Sequence, residues 1–233
     1  MAFSKTLIHS KMYRLILLFP LLIASFAVSQ NPLSAASHKK YTLLAGGGMG
    51  ALVAPDWIIT ASHCITSRHA TAKNIPIHFI NKNGRKIRVR GTHVFRYPHS
   101  DIALVKLASP LSPEQRTPAY LLSQPILKQH GTVKIDKAIV STTYKGIPAR
   151  VGRVKDRLYI STPDRKGKAG TSGSPWIIRT KDDKDVIVAV THGSGRGPQI
   201  GSCAKWITET IRENGNAPLQ WVKLSELPLK KTQ

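Results

Sequence analysis

The chain has 233 residues, with 35 Lys and Arg against 12 Asp and Glu for a formal charge of +23, and 41% of it is hydrophobic. That hydrophobic share is enough for a real core in one domain or two small halves, which excludes an acidic or low-complexity disordered protein, a coiled coil and a collagen-like repeat. Two cysteines, Cys64 and Cys203, exclude a disulfide-dense scaffold and any four-cysteine zinc site, and allow at most one bridge. At the N-terminus, Lys5, Lys11 and Arg14 precede an apolar run from Leu15 to Val28 that Pro20 interrupts. The run is shorter than the about 20 residues of a membrane span, and it reads as a secretory signal over residues 1–27, cleaved near Ala27 or Ser29. The mature chain is therefore expected to be secreted or periplasmic, with no transmembrane segment.

A polar N-terminal segment, 28–40, leads into short apolar runs separated by turn residues: Tyr41 to Ala45, Ala51 to Ala54, Trp57 to Thr60, Ile75 to Ile80, Ile87 to Phe95 and Ile102 to Leu107. Asn83-Gly84 between two of them suits a tight hairpin turn. The alternation Lys86-Ile87-Arg88-Val89-Arg90 is that of a strand with one dry and one wet face. Ser109 to Pro125, with four prolines, reads as a connector. Strands resume at Thr132 to Val140, Ala149 to Val154, Leu158 to Ser161, Trp176 to Arg179 and Val186 to Thr191. One helix follows, with Ser202 as its N-cap, Ala204, Ile207 and Ile211 along one face, and Gly215 as its stop. Residues 213–233 read as a tail. The pattern predicts an all-β fold of two antiparallel barrels and a C-terminal helix.

Basic residues crowd three stretches: Arg85, Lys86, Arg88 and Arg90; Arg150, Arg153, Lys155 and Arg157; and Arg165, Lys166 and Lys168. Such a surface attracts polyanions without specificity, and the low aromatic content, 6%, argues against dedicated nucleic-acid recognition. None of the nine histidines has a partner four residues on, so a helical zinc motif is absent and no metal or cofactor is expected.

Three segments carry chemistry. In the first, Leu52-Val53-Ala54-Pro55-Asp56-Trp57-Ile58-Ile59-Thr60-Ala61-Ser62-His63-Cys64, a strand ends at a histidine. In the second, Asp101-Ile102-Ala103-Leu104-Val105-Lys106-Leu107, an acid opens a buried strand. In the third, Gly170-Thr171-Ser172-Gly173-Ser174-Pro175, a serine sits in a glycine-rich turn. Each is weak alone, and their order, His then Asp then Ser, makes them strong together. Asp56 is the rival acid, but it lies in a turn rather than at the head of a strand.

Together these segments resemble the signature blocks of trypsin/chymotrypsin-like serine peptidases. The similarity runs in order from about Tyr41 to Ile211 and includes Trp206-Ile207 in the helix. It implies two six-stranded antiparallel barrels, about 41–115 and 116–212, packed around a cleft within a peptidase domain over 41–212. It also implies a catalytic triad of His63, Asp101 and Ser172, with the N–H groups of Gly170 and Ser172 as an oxyanion hole. The expected function is exported serine endopeptidase. The alternative is an inactive relative that binds polyanions or acidic proteins through its basic surface.

Departures from the pattern are informative. Thr171 stands where trypsin-like enzymes carry the aspartate that pairs with a new N-terminus, and no Ile-Val-Gly-Gly start precedes it. The serine block is instead most similar to that of bacterial glutamyl endopeptidases, so activity is expected to need only signal removal or trimming before Tyr41. Gly48 occupies the position of the usual partner of Cys64, which leaves a Cys64–Cys203 bridge as the disulfide the sequence allows. The primary pocket is expected to involve Lys166, Thr191, His192 and Gly193. A lysine and a titratable histidine there would favour acidic residues before the cut.

Overall fold

In the computed structural model, strands alternate short buried runs with glycine and proline turns, and they form two sheets that follow the two halves of the chain. The structure describes residues 42–45, 47–65, 74–81, 83–127, 130, 133–138, 143–154, 157–161, 170–193 and 195–229. All of these fall within the compact unit Leu33–Gln233. The signal, the N-terminal segment, and the basic stretch with Arg165, Lys166 and Lys168 lie outside the described residues.

The first half closes into a six-stranded barrel: β1 (Thr42–Ala45), β2 (Gly48–Ala54), β3 (Trp57–Thr60), β4 (Ile75–Ile80), β5 (Lys86–Arg96) and β6 (Ala103–Leu107), in spatial order β1-β2-β3-β6-β5-β4. β2 and β3 are buried throughout, because one face lines the barrel and the other meets the second half. β5 instead alternates, with Lys86, Arg88 and Arg90 exposed and Ile87 and Val89 half-buried. The β4–β5 loop is wider than the two-residue turn expected. Asn81 accepts from the N–H groups of Asn83 and Arg85 through Oδ1, and Gly84 takes a left-handed position, φ +77°.

The second half corrects the expectation of a second six-stranded antiparallel barrel. Its strands are β7 (Tyr120–Leu122), β8 (Val133–Ala138), β9 (Thr143–Val154), β10 (Arg157–Ser161), β11 (Pro175–Arg179), β12 (Asp185–Val190), β13 (Arg196–Pro198) and β14 (Trp221–Val222). They form one eight-stranded sheet, in order β13-β10-β9-β8-β11-β12-β7-β14. β13 comes back to β12 through the single bridge Ala189–Gln199, so a full ladder does not close there. The neighbour β12 takes instead is β7, in parallel, and β7 takes β14, also in parallel.

The sequence missed β7 inside the proline-rich connector and β14 inside the tail. Each is two or three residues long, too short to show a period, and is held by what lies beside it. The helix α1, Ala204–Glu213, is present, but Ser202 does not cap it. A 3-10 turn over Ile200–Cys203 precedes it, and the Ser202 hydroxyl donates to the Gln199 carbonyl. α1 lays Ile207 and Ile211 into a core that also takes Val53, Trp57, Ile59 and Leu104 from the barrel and Leu121, Ile177 and Ile187 from the sheet. The two halves therefore share one hydrophobic core, with the helix pinned across it.

Candidate active site

His63 stands in a 3-10 turn, Ser62–Cys64, just past the end of β3, and Asp101 stands just before β6. β3 and β6 are antiparallel neighbours, pairing Thr60 with Ala103, so their ends bring the two residues together across a sequence gap of 38. His63 Nδ1 lies 2.6 Å from Asp101 Oδ2, and the His63 N–H donates to Oδ1 at 2.9 Å. Two bonds from one residue to the two carboxylate oxygens set the imidazole with Nδ1 inward and Nε2 turned away from the acid. The nitrogen Nε2 lies 4.0 Å from Cys64 Sγ.

Asp101 has a second imidazole. His192 Nδ1 lies 2.5 Å from the same Oδ2, and the two rings meet edge to face with centroids 5.6 Å apart. Burial works to raise the Asp101 carboxyl, but hydrogen bonds from His192 and from the side chain and backbone of His63 outweigh it and hold the group below the usual carboxylate range. The acid is thus an anion at neutral pH, with its side chain 12% exposed against 45% for His63.

The serine turn comes from the second half and is tied to the first. The Ser172 carbonyl accepts from Met49 N–H on β2 at 2.7 Å, and Gly173 N–H donates to the Thr191 carbonyl at 2.7 Å. Gly173 has φ +81°, and a Cβ there would lie 2.0 Å from the Met49 carbonyl oxygen and 2.4 Å from Thr60 Oγ1. Only glycine fits, since the turn presses directly onto β2 and β3. Ser174 Oγ closes the turn by donating to the Thr171 carbonyl, at 2.6 Å. The Ser172 side is also the Cys64 side of His63: a Cβ on Gly48 would lie 2.8 Å from the Ser172 carbonyl oxygen and 2.3 Å from Cys64 Sγ.

Ser172 is half-buried, and its hydroxyl makes no hydrogen bond to a described residue. The N–H groups of Gly170 and Ser172 likewise donate to no described residue. Gly170 is exposed, with φ +83° and open space within 4 Å of where a Cβ would stand, so its backbone angle is what the chain itself asks of glycine there.

The residues expected to line the primary pocket fare differently. Lys166 lies outside the described residues. Thr191 is buried, and its hydroxyl is shared with Ser174 Oγ at 2.9 Å and Trp176 Nε1 at 2.8 Å, a structural network between β11 and β12. Gly193 pairs with Arg196 in the loop after β12, and His192 turns toward Asp101. That last contact is one sequence reasoning missed, because nothing in local spacing links positions 101 and 192.

Both cysteines are free thiols, which corrects the bridge the sequence allowed. Cys64 faces Gly48 and His63, while Cys203 donates to the Ile200 carbonyl at the head of α1. Burial pushes the Cys64 thiol up to about 11, against hydrogen bonds that lower it, and Asp101 adds to the rise. Burial raises Cys203 as well. Neither is a thiolate nucleophile at neutral pH.

Among the described residues, His63, Asp101 and His192 are the one group whose metal-ligand atoms come together, all within 4.8 Å. Their spacing is that of hydrogen bonds. Two ligands of one tetrahedral zinc, each about 2.0–2.1 Å from the ion, stand more than about 3 Å apart. Here each Nδ1 is 2.5–2.6 Å from Oδ2.

The model of the trypsin-like peptidase domain matches residues 48–190, a span that contains His63, Asp101 and Ser172 and stops short of His192. Human kallikrein-11 is 25% identical over 224 residues, covering 79% of this chain and 77% of that protein.

Proposed function

We infer that this chain, which belongs to the trypsin-like peptidase domain family, is a serine endopeptidase acting through His63, Asp101 and Ser172. The observation that carries the reading is the doubly bonded His63–Asp101 pair, 2.6 and 2.9 Å, with the serine turn hydrogen-bonded to the same barrel. A serine hydroxyl is a weak nucleophile at neutral pH, so Nε2 of His63 takes its proton as Oγ attacks the peptide carbonyl. The imidazolium so formed is stabilised by the Asp101 anion and returns the proton to the leaving amine. Water then repeats the sequence to release the acyl group. The N–H groups of Gly170 and Ser172 receive the negative oxygen of the tetrahedral intermediate, and each such donor is worth roughly 3 kcal/mol of the barrier. In unliganded sites the serine–histidine contact is often open and tightens on substrate binding.

Two finer assignments complete the proposal. The chain is exported after loss of residues 1–27, as the basic, apolar and small-residue order of that segment supports. No helix among the described residues is long and apolar enough to cross a membrane. Acidic residues are preferred before the cut, a reading supported by the large excess of Lys and Arg that remains once Lys5, Lys11 and Arg14 leave with residues 1–27, and by the similarity of Gly170-Thr171-Ser172-Gly173-Ser174-Pro175 to the serine block of glutamyl endopeptidases. The alternative, an inactive binder of polyanions, draws on the same charge.

One experiment separates them. The purified mature chain is treated with a fluorophosphonate probe and its cleavage sites in a peptide mixture are mapped. Labelling and cleavage are expected for the wild type, and Ser172→Ala is expected to abolish both, with turnover down by roughly 10⁶-fold. A folded wild type that takes no label supports the binder, and cuts after Lys or Arg would overturn the acidic preference.

A further inference from the structure

We propose that His192 is a positioning residue of the catalytic centre, holding the Asp101 carboxylate from the second half of the chain while His63 holds it from the first. The inference rests on the peptidase reading and assigns His192 to the proton relay instead of the substrate pocket.

Three observations carry it. First, Asp101 Oδ2 lies 2.6 Å from His63 Nδ1 and 2.5 Å from His192 Nδ1. An ionised carboxylate only accepts hydrogen bonds, so each of those nitrogens carries its proton. Both rings are therefore Nδ1–H tautomers, and for His63 this is the form with a basic Nε2.

Second, His192 is itself held. Its N–H donates to the Arg196 carbonyl at 3.0 Å, the bridge between Gly193 and Arg196 closes the loop behind it, and its ring meets the edges of Tyr159 at 6.2 Å and His63 at 5.6 Å. Among the described residues, Asp101, His63 and Tyr159 are the titratable groups in contact with it, and Arg196 contributes its carbonyl.

Third, the contact joins parts that nothing local joins. Asp101 and His63 stand on the barrel, whereas His192 follows β12 and is next to Thr191, whose carbonyl receives Gly173 N–H beside the nucleophile. The bond from His192 to Asp101 thus sets the acid–base pair in register with the strand that anchors the serine turn. Without it, among the described residues the carboxylate is held by His63 alone, from the barrel side, and loses its tie to the second half. A misplaced acid costs rate at the chemical step while leaving ground-state binding intact.

The test compares His192→Leu, which removes the donor, with His192→Asn, whose side-chain amide puts an N–H near the position of Nδ1. In the mature full-length chain, kcat and KM are measured on several peptides, together with the fluorophosphonate labelling rate and the ¹⁵N histidine resonances that report each ring's tautomer. His192→Leu is expected to lower kcat by about tenfold to a hundredfold with KM unchanged on every peptide, well short of the about 10⁴-fold expected for losing the acid's function. His192→Asn is expected to recover most of that loss, and the wild type to show Nδ1–H signals from both His63 and His192. Thermal melts of both variants identify any that fails to fold, and the wild-type tautomers then decide.

A folded wild type that takes no label removes the peptidase reading, and the inference with it. Should the wild type label but His192→Leu label as fast, with His63 resonances unmoved, the inference alone falls. An effect confined to KM, differing between acidic and neutral peptides, returns His192 to the pocket.

Discussion

At Gly173 the chain asks for a residue that only one amino acid supplies. The positive φ and the 2.0 Å approach to the Met49 carbonyl are independent reasons, one conformational and one steric, and both follow from the serine turn lying on β2. Gly173→Ala is therefore expected to lower stability by more than the about 1–3 kcal/mol of a strained backbone position, since the turn must also lift from Met49 and Thr60. Urea denaturation followed by tryptophan fluorescence would show it, and an unchanged midpoint would contradict the geometry. At this scale the sequence was most legible where one side chain has one chemical task. His63, Asp101 and Ser172 stood out as candidates because the proposed chemistry, with a nucleophile, a base and an acid, needs those residue types in those blocks. His192 was readable only as a pocket histidine, because its link to Asp101 depends on how a loop after β12 meets the head of β6.

At the scale of elements, strands with many buried apolar residues were found close to their observed limits, as at Trp57–Thr60 and Ile75–Ile80. Those whose pairing is supplied by a neighbour were missed, β14 among them, although Val222 and Leu227 of the supposed tail are buried in the second core. Helix α1 was visible from its 3- and 4-residue spacing, and what it does was not: Ile207 and Ile211 meet residues of both halves. Ile207→Ala is expected to cost about 2–5 kcal/mol through the cavity it leaves in a fully buried position. The shared core further requires both halves to unfold together, so calorimetry is expected to show one transition at a lowered Tm. Two separated transitions would mean that the halves are energetically independent.

For the whole molecule, the charge of +23 acts beyond any single contact. Lys86, Arg88 and Arg90 are exposed along β5, and no ion pair reaches them among the described residues. Binding of a duplex DNA, used here as a generic polyanion, is expected to be independent of base sequence, with log K falling linearly in log salt as counterions are released. Fluorescence anisotropy at several salt concentrations measures that slope. A flat response, or a preference among sequences, would show that something other than diffuse charge governs binding.

The mostly β fold, the likeness to trypsin-like peptidases and the basic composition were all legible in the sequence alone, because each rests on local patterning, residue chemistry or summed charge. Tertiary structure decided the rest: a closed barrel against an eight-stranded sheet with one parallel edge, two free thiols where one bridge was conceivable, and a histidine turned to the acid. In each case the outcome depends on which distant surfaces meet, a property of packing that no stretch of neighbouring residues encodes by itself.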